Sequence, residues 1–216
     1  MRTDVKYRVV VAGAELRMLV LAADWNYSVG VDLDSGAFVR TIHPRGTEAL
    51  APLDVATAAM GYPIEPPDPA CPEAVELIAP PRRLGRIKPR RAERYLQPLH
   101  HPPQGPLLGF QGVAVPYWTI TGDRPSMALV KPTLGPQLRL TDFGLECRFA
   151  WQGAVHQFPV ADHHLLGRLD ELDRPRLSGR ELTRLLDFRP RRLLLMVSAP
   201  DNGYCYKQVA AFLPAA

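Results

Sequence analysis

The chain has 216 residues, of which 46% are apolar and 22% charged, a balance that excludes a disordered, collagenous or wholly membrane-embedded protein. Its 23 prolines are about twice the usual 5% share. Proline breaks helices and interrupts central strands, so long helical bundles and paired-helix solenoids are excluded too. The net charge of +4 is too mild to identify a partner by itself.

In chain order, Val5–Val11 reads as a first strand. Leu16–Ala22, apolar except for Arg17, fits a buried strand. Ser28–Asp34 and Ala37–Ile42 are rich in strand formers and flank Ser35-Gly36, which predicts a tight hairpin. Leu50–Met60 fits helix through its alanines and strand through Leu53 and Val55, and pattern alone does not choose. From 61 to 106 the chain is dense in proline and reads as a long connection, with Ala74–Ile78 as a short strand. Leu107–Thr121 is apolar with many strand formers, and Met127–Lys131 follows as a strand ended by Pro132. Leu138–Thr141, Glu146–Trp151 and Val155–Val160 are further strands, the last two turned by Gln152-Gly153. Ser178-Gly179-Arg180-Glu181 has the form of a capping box opening a helix near 179–187, with Leu182, Leu185 and Leu186 on one face. Arg192–Ser198 and Tyr204–Leu213 close the chain as strands about Asp201-Asn202-Gly203. The fold class expected is all-β, with one or two short helices.

Charge is uneven along this framework. Residues 47–81 hold six acids and no Lys or Arg, whereas Arg82, Arg83, Arg86, Lys88, Arg90, Arg91 and Arg94 stand against one acid, Glu93. A second arginine-rich stretch runs from Arg174 to Arg192. The acidic and basic stretches can solvate a surface or pair with each other. Alternatively, the arginines form a stripe for phosphates, which suit the planar guanidinium fork. Among the aromatics, Trp25, Tyr27 and Tyr117 are candidates to stack on bases, with Arg40, Arg124 or Lys207 to hold a backbone. Trp118 and Trp151 read as core.

Catalytic and cofactor signatures are missing: the sequence has no GxxxxGK[ST], GxGxxG, GxSxG or HExxH. Asp162-His163-His164 offers the residue types of a metal or general-base site, but neighbours on an extended chain point to opposite faces, so these read as loop histidines. His100-His101, set between prolines, reads the same way. Cys71, Cys147 and Cys205 are scattered, without a CxxC pair. No apolar run reaches membrane-spanning length. The expectation is a reduced, soluble, cytoplasmic chain with no cofactor and no metal.

Three stretches carry a family resemblance. Residues 19–44, LVLAADWNYSVGVDLDSGAFVRTIHP, run through an apolar strand, a polar turn, a glycine-containing strand and an arginine after a hairpin. Residues 126–165 combine a strand ending in Pro, Arg148-Phe149, the Gly153 turn and Asp162 after the next strand. Residues 193–214 end in a hairpin carrying Tyr206-Lys207. Together they resemble the bacterial dual OB-containing domain family. Trp25-Asn26-Tyr27 departs from the small or basic residues common in that family's first polar turn.

The resemblance implies two OB-like β-barrels, over 1–80 and 107–216, with the Pro/Arg-rich 81–106 between them. It also implies a nucleic-acid or ligand-sensing role in bacterial defence or conflict systems, with no catalytic residues. The expected function is therefore a non-catalytic module for nucleic acid, single-stranded in the first instance. Its contacts are Arg82, Arg83, Arg86, Lys88, Arg90, Arg91, Trp25, Tyr27, Tyr117 and Lys207. The alternative is a sensor of a nucleotide or other small ligand that acts through a partner protein encoded nearby.

Overall fold

The computed structural model describes residues 11–44, 50–168 and 176–215. The strand expected at 5–11 lies, but for Val11, outside the described residues, as does Arg174 of the second basic stretch. The protein is mostly β.

Its first sheet contains β1 (Glu15–Ala23), β2 (Tyr27–Asp32), β3 (Phe38–Ile42), β4 (Asp54–Ala59), β5 (Ala74–Glu76) and β6 (Arg82–Arg86), in the order β5-β3-β2-β1-β4-β6. All its pairings are antiparallel except β3 with β5. The sheet curls far enough for Met60, just past β4, to bridge Leu77, just past β5. Curling requires a close approach of β1 and β2. A Cβ on Gly30 would lie 2.3 Å from the Leu19 carbonyl oxygen, so only glycine fits there.

After β6 come α1 (Pro89–Leu96) and the short β7 (Ala114–Pro116). The C-terminal half then contains β8 (Met127–Val130), β9 (Leu134–Thr141), β10 (Gly144–Trp151), β11 (Ala154–Pro159), α2 (His163–Leu166), β12 (Arg176–Ser178), α3 (Gly179–Leu186), β13 (Pro190–Val197) and β14 (Tyr204–Pro214). They form two four-stranded sheets, β11-β10-β9-β12 and β7-β14-β13-β8. A parallel bridge from Val160 to Val209 joins the two at one end.

The apolar runs Met18–Ala22 and Leu193–Val197 are strands buried on both faces. Leu16, Met18 and Val20 of β1 point into the curl of the first sheet. Leu19 and Leu21, one residue out of phase, enter a middle layer with Leu129, Leu194, Met196, Ala211 and Leu213. In β13 the same division sends Leu193, Leu195 and Val197 into the C-terminal core with Phe149, Phe158 and Phe212. The apolar core thus has three layers, and the middle one takes side chains from both halves of the chain.

Two expectations need correction. The proline-dense 81–106 stretch is not a bare connection: it supplies β6, hydrogen-bonded to β4, and α1, whose Ala92 and Leu96 enter the middle layer. Buried Arg192 of β13 fastens α1 by pairing with Glu93, and also donates to His100 Nε2 at 3.3 Å and to the Pro214 carbonyl at 3.0 Å. Second, Leu107–Thr121 is not one strand: two 3₁₀ turns, Leu107–Gly109 and Tyr117–Thr119, flank the short β7. Gly109 and Gly112 take positive φ there and interrupt any longer strand. The helix expected near 179–187 is present as α3, although the Ser178 side chain makes no cap hydrogen bond.

Candidate nucleic-acid interface

The basic segment sits where a sheet meets solvent. β6 is an edge strand, and Arg82, Arg83, Leu84 and Arg86 are all exposed. Its pairing with β4 slips between Val55 and Ala56, leaving Leu84 unpaired as a bulge. Arginines and a bulge also blunt an open edge against pairing with other chains, so this much needs no ligand to explain it. The adjoining helix is less easily explained. Lys88 is the N-cap residue of α1, Pro89 starts the helix, and Arg90 and Arg91 fill a first turn that holds no acid. A helix N-terminus is the positive end of its dipole, so cations there raise the local potential rather than offset it.

Among the described acids of residues 47–81, Asp54 alone pairs with a cation of this surface. Arg83 pairs with buried Asp54 at 3.0 Å, and Arg86 donates to the Pro52 carbonyl at 3.2 Å. Arg82, Lys88, Arg90 and Arg91 have no carboxylate partner among the described residues. Glu73 is instead buried against Ser126, and 3.7 Å from Arg40. Arg40 is thereby committed inside, its guanidinium also donating to Ser126 Oγ at 2.9 Å.

The aromatic candidates divide. Trp25 occupies the turn between β1 and β2 and is 56% exposed. Through the register of β1, β4 and β6, that turn lies at the same end of the sheet as Arg86 and Lys88. Tyr27 packs edge-on against His163, and burial pushes its phenol up to about 12. Tyr117 is half-buried and donates to Asp68 Oδ1 at 3.1 Å. Trp118, read as core, is 72% exposed and edge-on to Tyr204, because its 3₁₀ turn lies over the β13–β14 hairpin instead of forming a strand. Trp151 is buried as expected.

Lys207 does not belong to this surface. It is 3% exposed, and its ammonium donates to the Phe110 carbonyl at 2.6 Å. Cys205, Lys207 and Val209 share the inward side of β14, so period-2 alternation held the signal. Asp162, His163 and His164 take separate partners. Asp162 caps α2 through Leu165 N–H, His163 Nε2 lies 3.3 Å from Asp24, and His164 Nε2 lies 3.1 Å from the Leu50 carbonyl.

The structure adds a cationic surface that sequence reasoning missed. On the outer face of the β9–β10–β12 sheet, Arg139 stands directly opposite Arg176, with exposed Arg148 on the neighbouring strand. Like charges directly opposite one another are unfavourable. Glu146 stands opposite Arg139 on β10 but accepts from Gln157 Nε2 at 2.6 Å, and none of the three arginines has a carboxylate within ion-pair distance among the described residues. The three line a groove of about 570 Å³ with Gln137, Glu146 and Gln157. Alternate positions along β9 and β10 carry this signal, but it emerges only once the strands are in register.

No protein-family model, curated protein or solved structure matches the chain.

Proposed function

We propose that the chain is a non-catalytic module that binds single-stranded nucleic acid along the β6–α1 edge, on a scaffold of two OB-like barrels. The observation that carries this reading is the set of four exposed cations, Arg82, Lys88, Arg90 and Arg91, without carboxylate partners among the described residues. Strand order supports the scaffold. A β1-β2-β3 meander, β5 parallel to β3, β4 on the far side of β1 and the Met60–Leu77 bridge follow the order of a five-stranded Greek-key OB barrel. The β9-β10-β11 meander, the Val160–Val209 bridge and the β13–β14 pair repeat it. OB barrels use the face of their second and third strands and the first interstrand loop for oligonucleotides. Trp25 stands in that loop of the first barrel, and Arg148 on that face of the second.

The test is fluorescence anisotropy with a labelled oligothymidylate of roughly 12 nucleotides, within the range one or two OB barrels cover. About four phosphate contacts on a single strand predict a log–log salt slope near −3. Replacing Arg82, Lys88, Arg90 and Arg91 together with Gln flattens that slope and weakens all sequences alike, because phosphate contacts carry no base identity. No measurable binding by the wild-type protein at about 50 mM salt, where phosphate contacts are least screened, overturns the reading.

A further inference from the structure

We propose that a second site, independent of the β6–α1 edge, lies in the C-terminal half: a cleft beside β11 that holds a small planar aromatic monoanion, its carboxylate on the Lys207 ammonium. The cleft comes from an open seam. β11 and β14 are bridged at Val160–Val209, but further up β14 the neighbour of Tyr204–Tyr206 is β7. Residues 105–113 and the β10–β11 hairpin bound the gap between them, with Phe110, Trp151, His156, Phe158 and Lys207 among the lining. Its volume, about 480 Å³, lies within the roughly 300–1,000 Å³ typical of small-molecule sites.

The polar groups of this cleft are incompletely satisfied. An ammonium has three protons to donate, and Lys207 uses one on Phe110. Its nitrogen also lies 4.3 Å from the Phe110 ring centroid and 5.9 Å from that of Phe158. No carboxylate among the described residues pairs with it. Nε2 of His156 is buried without a hydrogen-bond partner. The neighbouring titratable groups bring no counter-charge: burial holds the Cys205 thiol, on the same side of β14, above its ordinary value, and His101, edge-on to Trp151 at 5.3 Å, is held down first by burial and then by the Lys207 and Arg124 charges. Burial alone pushes Lys207 down to about 8. A buried ammonium without a counter-ion is costly, and a carboxylate placed on it restores the charged form.

The same inventory limits the occupant. Lys207 is the one Lys or Arg among the residues lining the cleft, Arg124 standing outside that lining, and it balances one negative charge, whereas a nucleoside triphosphate would bring about four. Phe110, Trp151, Phe158 and the His156 imidazole offer apolar and aromatic surface to a flat ring.

Isothermal titration of the whole protein with 2-naphthoate, and with the uncharged 2-naphthalenemethanol, tests the assignment without any oligonucleotide. Naphthoate is expected to bind one to one at pH 7, about tenfold or more tighter than the alcohol, an advantage of at least 1.4 kcal/mol. Lys207→Met removes that advantage and leaves the alcohol unchanged. Should Lys207→Met fold poorly, the wild-type protein suffices: its preference for naphthoate disappears by pH 10, when Lys207 has lost its proton. Equal binding of acid and alcohol at pH 7, no saturable naphthoate binding, or tighter binding of ATP than of naphthoate each overturns the proposal. The naphthoate result is the same whether or not the β6–α1 edge binds nucleic acid.

Discussion

The β6–α1 edge and the Lys207 cleft both present positive charge without a matching carboxylate among the described residues, but in opposite solvation. Along β6 and α1 the cations are exposed, several and screened by salt. In the cleft a single ammonium is withdrawn from water and held over aromatic rings. Several hydrated charges along an edge suit a repeating polyanion and are blind to its sequence. One desolvated charge among rings suits a small molecule with one counter-charge, and its protonation becomes a variable. Sign of charge therefore says little about a partner until burial is known.

The largest expected effect belongs to the exposed region. A tenfold rise in salt is expected to lower oligothymidylate affinity about a thousandfold if four phosphates are engaged. Anisotropy across a sodium chloride series measures this, and a tenfold or smaller loss would place the edge in the same class as the cleft.

The next effect belongs to the buried ammonium. Its folded-state pKa, about 8, is below that of an unfolded lysine, near 10.4, so between these values the unfolded chain holds the extra proton and stability rises with pH. Below pH 8 both states are protonated and the contribution is flat, at its least favourable. The wild type is expected to gain on the order of 2 kcal/mol relative to Lys207→Met from pH 8 to pH 10.5. Urea unfolding of both proteins over that range checks it, and parallel curves would mean that Lys207 is hydrated like the edge cations.

Trp25→Ala is expected to cost about 1–3 kcal/mol of oligonucleotide affinity with the salt slope unchanged, since stacking releases no counterions. The smallest effect separates one arginine from its neighbours. Arg83 is committed to buried Asp54, so Arg83→Gln is expected to leave the salt slope near −3 while lowering stability by about 1 kcal/mol. Thermal melting and the salt series together distinguish it from Arg82→Gln.

Sequence pattern was most informative where burial was strongest. Met18–Ala22 and Leu193–Val197 are apolar on both faces because each lies between two core layers. The turns at Ser35-Gly36, Gln152-Gly153 and Asp201-Gly203 follow from residues that accept positive φ. Resolution was lost where burial was partial. RRLGR has no alternation because β6 is exposed on both faces, and Pro89 conceals a helix by standing at its first position, where no backbone donor is needed. The outer arginine face and the Lys207 cleft escaped for another reason. Each is assembled from strands far apart in sequence, and register is what joins them.

The middle apolar layer constrains how this protein can be cut. A fragment ending near residue 106 would keep Leu19, Leu21, Val29 and Val31 while losing Leu129, Leu194, Met196 and Leu213, which cover them. The remainder would lose its cover in the same way, along with the Glu93 partner of buried Arg192. Each piece would present a flat, greasy sheet to water, the kind of surface that chaperones grip and that drives precipitation. Separately expressed halves should therefore be recovered together, as a co-folded pair that repairs the seam, or as insoluble material.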